Sequence, residues 1–89
     1  MTEARLLKLA DILEGYAEDG IIRALRQEIS YGEYGLGLEN LCERLFESDA
    51  RLPKAVIADI ADIAGLMRLP AERWNFVEAL EDWPEDARE

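Results

Sequence analysis

The stretch Glu33–Asp49, EYGLGLENLCERLFESD, decides how this chain folds. Tyr34, Leu38, Leu41, Cys42, Leu45 and Phe46 recur at spacings of three and four, which lines them up on one side of an α-helix. Two features work against that helix in isolation. Gly35 and Gly37 each cost a helix interior about 1 kcal/mol relative to alanine. Glu39, Glu43 and Glu47 stand four residues apart, and like charges at that spacing destabilise a helix by roughly 0.2–0.5 kcal/mol per pair. The glycines have two compatible readings: close approach of a neighbouring helix or turn to bare backbone, or access for a partner to Tyr31, Glu33 and Tyr34. The glutamate row gains the isolated protein nothing.

Upstream, Leu6, Leu9, Ala10, Leu13, Tyr16 and Ala17 keep helical spacing, which predicts a helix over 2–19 with Thr2 as its cap and Gly20 as its stop. A shorter helix is expected over 21–30, with Ile21, Ile22, Leu25 and Ile29 inward and Arg23 and Arg26 outward. SYGE, Ser30–Glu33, reads as a tight connection around Gly32. Downstream, Pro53 suits the first turn of a helix reaching Met67, with Val56, Ile57, Ile60, Ile63, Ala64 and Met67 inward. A last helix follows Pro70 and carries Trp74, Val77 and Leu80, and residues 82–89 read as an acidic, frayed tail that Pro84 stops from becoming helix. No strand alternation, internal repeat or domain boundary interrupts this pattern. The expectation is a single all-α domain over 1–89, a small antiparallel bundle of four to five helices.

Composition bounds the function. Twenty acidic against ten basic residues give a formal net charge of -10 on 89 residues. A field of that sign repels nucleic acid and anionic membrane, both of which are bound through Lys and Arg, and attracts a basic partner. The chain offers no apolar run of the roughly 18 residues that a membrane span needs. Asp11 and Glu14 interrupt the only N-terminal apolar run, against a signal peptide, and the single Cys42 permits no internal disulfide, so a cytoplasmic protein is expected.

Catalysis is not expected. The chain has no histidine, which removes the commonest general base and metal ligand. Cys42 lies among leucines and Phe46, surroundings that oppose a thiolate. GEYGLG, Gly32–Gly37, has the letters of a phosphate loop without its order or a preceding strand. Asp59 and Asp62 could be an acid/base or metal pair, but carboxylates three apart on a helix are ordinarily a solvated face. No metal and no cofactor is expected.

What remains is recognition. From Glu28 to Asp49 six carboxylates face Arg44 alone, a local net charge of -5. Tyr31, placed in a turn beside this row, has the amphipathic, rigid side chain enriched at interface hot spots.

The same residues carry a resemblance. Glu33–Asp49 follows the run E-Y-G-L-A-L-E-x-L-C-x-x-L-(Y/F)-E-x-D, departing at Gly37, where alanine is usual. With the proline-started helix and MRLPAERW (Met67–Trp74), the chain resembles the MafI-like immunity proteins of bacterial polymorphic-toxin systems. Residues 1–30 carry little of this likeness. The resemblance implies a cytoplasmic antitoxin that binds the C-terminal domain of a toxin, often a nuclease with a basic substrate surface, and blocks its active site. The expected toxin-binding residues are Tyr31, Glu33, Glu39, Glu43 and Glu47, with Asp59 and Asp62 on the adjacent helix. The alternative is a small helical adaptor or regulatory protein that binds its partner through an apolar groove.

Overall fold

The computed structural model describes residues 2–82, and among them the chain is all-α. Four α-helices, α1 (Thr2–Leu13), α2 (Asp19–Ser30), α3 (Tyr34–Glu47) and α4 (Lys54–Leu66), are followed by two 3-10 segments, Ala71–Arg73 and Asn75–Leu80. The bundle of four to five helices read from periodicity is therefore present. Among the described residues no helix is long and apolar enough to cross a membrane. Trp83, Pro84 and most of the expected acidic tail lie outside the described residues.

Two boundaries differ from expectation. The first helix stops at Leu13, not at residue 19. Gly15 has low helix propensity, and the turn tightens there through three-residue bonds from the Glu14 and Gly15 amides to the Asp11 and Ile12 carbonyls. Glu18 is extended and leads into α2, so Gly20 belongs to the first turn of α2 rather than ending α1. Tyr16, expected to face inward, lies in this turn and is exposed. The second difference is the last helix, which is 3-10. Residues three apart eclipse one another in that geometry, so Val77 and Leu80 enter the core together from a short segment. The segment is anchored at Leu52, whose amide donates to the Leu80 carbonyl at 2.9 Å and whose carbonyl accepts from the Asp82 amide at 2.8 Å.

The core is apolar throughout, with no buried polar or charged residue among those described. Leu6, Leu9 and Leu13 of α1 meet Leu25 of α2, Leu38, Leu41 and Leu45 of α3, and Ile60 and Ile63 of α4 in one cluster. The most extensive contact between helices is that of α2 with α3. Gly37 is buried there, and a Cβ on it would stand 3.3 Å from the Glu28 Cβ and 3.7 Å from a Leu25 methyl. A Cβ on Gly35 would meet a Leu69 methyl at an ordinary 3.5 Å. Helices α2, α3 and α4 end alike: Gly32, Asp49 and Arg68 take positive φ. The next amide then turns back to the carbonyl five residues earlier, Glu33 to Glu28, Ala50 to Leu45 and Leu69 to Ala64. This is the Schellman closure, which favours glycine at the left-handed position.

Three consequences are measurable by denaturant unfolding. Gly35→Ala raises stability by up to about 1 kcal/mol, because helix propensity improves without a clash. Gly37→Ala yields none of that gain, since the Glu28 Cβ is carried on the backbone of α2; an equal gain at both sites would show slack in the interface. Arg68→Gly stabilises by roughly 0.5–1 kcal/mol, by relieving a side chain from the left-handed region.

Candidate functional site

Helix α3 turns by about 100° per residue, so residues four apart advance by about 40° around its axis. The row Glu39–Glu43–Glu47 therefore winds about 80° across the outer face and does not present one uniform edge. Glu39 is turned toward the 3-10 segments, where Arg73 Nη1 donates to its Oε1 at 3.1 Å and its side chain is 19% exposed. On the opposite flank Asn40 and Arg44 face α2: Asn40 Nδ2 and Arg44 Nη1 donate to the two oxygens of Glu28 at 2.7 and 3.2 Å. Between these flanks Glu43 and Glu47 are exposed, and neither has an ion pair or side-chain hydrogen bond among the described residues.

Phe46, expected in the core, is 48% exposed. The reason is angular: it lies beyond the edge of the stripe that Leu38, Leu41 and Leu45 bury, on the flank facing the 3-10 segment. There it meets Phe76 edge to face, with ring centroids 5.4 Å apart and planes at 78°. Glu43, Phe46, Glu47 and Phe76 together line a shallow groove of about 280 Å³. Leu36, two turns before Glu43 on the outer face, is also exposed.

The other expected residues are not gathered at this groove. Tyr31 is 69% exposed at the C-cap of α2, where its hydroxyl accepts from Gln27 Nε2 at 3.4 Å. Glu33 precedes α3 as its N-cap residue, so fourteen residues of rise, about 21 Å, separate its backbone from that of Glu47. Asp59 and Asp62 belong to a different surface, the groove between α1 and α4. Arg5 Nη2 donates to Asp59 Oδ1 at 2.7 Å and pairs with Asp62 Oδ2 at 3.0 Å. These hydrogen bonds raise the pKa of the guanidinium, and one oxygen of each carboxylate is engaged by Arg5. That α1–α4 groove, about 560 Å³, is lined by Lys8, Ile12 and Val56 as well as this clamp.

Phe76 was not singled out in the sequence. Its neighbour Val77 carries the core register, and α-helical spacing from Trp74 gives Phe76 no face of its own; its position follows from the 3-10 winding. The exposure of Leu36 is readable, since it lies two residues before Leu38 and off the apolar stripe.

Cys42 is fully buried beneath this face. Burial first, then the charges of Glu39 and Glu43, push its thiol from 9.0 up to about 12. The folded state thus holds the proton more tightly than the unfolded chain, so this contribution to stability is complete below pH 9 and is lost between about 9 and 12. The Cys42→Ala variant shows a shallower loss of stability across that window in alkaline unfolding, and at pH 8 the wild-type thiol reacts with a disulfide reagent no faster than the protein opens. Comparison with protein-family models, with curated proteins and with solved structures finds no match for this chain.

Proposed function

We propose that the protein is an immunity protein: a binding protein that neutralises a cognate bacterial toxin domain by covering a basic surface of it with the outer face of α3. The observation that carries this reading is the Glu43–Glu47 pair, two exposed carboxylates without a partner among the described residues, beside the exposed Phe46 and its half-buried neighbour Phe76. Their mutual repulsion gives the free protein nothing, and a cationic surface relieves it. The resemblance of Glu33–Asp49 to MafI-like immunity proteins falls on the same helix.

The interface is centred on Glu43, Phe46 and Glu47. Leu36 and Glu33 lie toward the other end of α3, a length within the span of a standard interface of about 800 Å² per partner, and Tyr31 is exposed at the end of α2 just before it. Glu39 contributes through its position beside Arg73. Asp59 and Asp62, engaged by Arg5, are left out. A toxin with a basic substrate surface, a nuclease foremost, fits this chemistry, because carboxylates then stand where phosphates would lie. Inhibition by occupation requires no catalysis, and the action belongs in the cytoplasm of the cell that makes the toxin.

A specific observation favours the second reading, a helical adaptor. The α1–α4 groove has an apolar floor at Ile12 and Val56, and beside it a second hollow is lined by Leu66, Ala4 and Thr2. Binding there would depend little on salt.

Calorimetric titration against the toxic domain encoded beside this gene separates the two. The immunity reading expects one-to-one binding that abolishes toxicity and weakens steeply as salt is added, because exposed charges are screened beyond about 8–10 Å. The double variant Glu43→Lys, Glu47→Lys folds as wild type and binds roughly ten- to a hundredfold more weakly. Unchanged affinity in the folded double variant would reject the acidic face.

A further inference from the structure

The chain handles carboxylate pairs in a repeated way. Arg26 Nη2 of α2 lies between Asp11 Oδ1 and Glu14 Oε2, at 2.8 and 2.7 Å. Arg5 Nη2 of α1 lies between Asp59 Oδ1 and Asp62 Oδ2 of α4, at 2.7 and 3.0 Å. In both, two carboxylates one helical turn apart hold one guanidinium brought by another element. Glu43 and Glu47 are a third pair one turn apart, and no arginine among the described residues reaches them. The arginines on and around α3 are committed elsewhere, Arg44 to Glu28, Arg73 to Glu39 and Arg51 to Asp49.

This third pair differs in its setting. Phe46 and Phe76 form one wall of the groove it borders. In their edge-to-face arrangement one ring offers its edge to the other, and the half-exposed Phe46 leaves aromatic surface open to solvent. An aromatic face with two carboxylates beside it suits a planar cation. A guanidinium stacks flat on a ring while its N–H groups point outward in the ring plane, so stacking and carboxylate bonding are satisfied together. An ammonium is compact and strongly hydrated, and gains less from the ring. At about 280 Å³ the groove has room for a long side chain and not for a helix.

We propose that the groove of Glu43, Phe46, Glu47 and Phe76 is a receptor for a single arginine side chain of the partner, with the guanidinium against the aromatic wall and hydrogen-bonded to the Glu43 and Glu47 carboxylates. The identification of that partner as a toxin rests on the reading above; the specificity for arginine over lysine is a property of the groove.

The test uses two probes of equal charge, N-acetylated and C-amidated hexa-arginine and hexa-lysine, titrated into the whole protein at low salt and followed by calorimetry and aromatic NMR. Hexa-arginine binds roughly two- to fivefold more tightly than hexa-lysine, and the ring signals of Phe46 and Phe76 shift with it. Phe46→Leu, a change at a half-exposed position, removes the preference while both peptides still bind; Phe76→Leu provides the same test from the other element. Glu43→Gln with Glu47→Gln weakens both peptides. Equal affinities in the wild type, or ring signals that stay still while those around Asp59 or Asp11 move, overturn the receptor. Toxin titration of the same variants separates the two readings. An inhibitor that binds toxin and shows no arginine preference keeps the immunity role and loses the receptor. An arginine preference without toxin binding keeps the receptor and loses the immunity role.

Discussion

The contact on which the rest of this structure depends is the close approach of α2 to α3 at Gly37. With no side chain at that position, Glu28 and Leu25 lie directly on the backbone of α3. Glu28 then does two things at once. Its Cβ fills the space above the glycine, and its carboxylate, on a side chain 15% exposed, takes the amide of Asn40 and the guanidinium of Arg44. A half-buried carboxylate needs such partners, because an unsatisfied one carries a desolvation penalty of about 1–3 kcal/mol or more. Asn40 and Arg44 are therefore held toward α2, and α3 cannot rotate without uncovering them. That rotation decides which residues of α3 face solvent.

The opposite flank of α3 is held from further along the chain. Leu52 ties the α3–α4 connection to the end of the last 3-10 segment through two backbone hydrogen bonds. That bond pair, with Val77 and Leu80 in the core, positions Phe76 against Phe46 and Arg73 near Glu39. The Arg73–Glu39 pair is more than half exposed on the arginine side, and pairs of that kind contribute little to stability, with a median near 0–1 kcal/mol. Its consequence is positional. It removes Glu39 from the set of free carboxylates and leaves the next two of the row.

The helices most legible in the sequence were those whose apolar spacing runs without interruption. For α3 and α4 the predicted and observed segments agree to within a residue or so, and Gly32 was recognisable as a turn because a positive φ suits glycine best. The end of α1 was hidden because Tyr16 and Ala17 continue its period through Gly15, and periodicity alone does not show that the chain must turn back to bring Ile21 and Ile22 to the core. The 3-10 winding of the last segment was hidden for a related reason, since Trp74, Val77 and Leu80 are three apart and fit either geometry. The site was legible in its charge and not in its composition. The glutamate row could be drawn from spacing, but which of its members would be claimed by an arginine depended on contacts thirty-four residues away, Glu39 to Arg73, and fifty-four away for Asp59 to Arg5.

Those distant contacts change what the net charge of -10 means. At physiological ionic strength a charge is screened within about 8 Å, so a partner touching one face senses mainly the carboxylates under it and few of the rest. Six of the carboxylates share four guanidinium groups and are partly neutralised where they stand: Asp11 and Glu14 by Arg26, Glu28 by Arg44, Glu39 by Arg73, and Asp59 and Asp62 by Arg5. The specificity of a binding face then depends on where pairing has been withheld next to apolar surface. On the outer face of α3 the two conditions coincide at Glu43, Glu47 and Phe46. Along the α1–α4 groove they do not, because Arg5 sits within it and Lys8 lines the same wall. A partner that reads charge alone would gain little by choosing among the acidic patches of this molecule, whereas one that presents a planar cation beside apolar surface gains most at the groove of α3.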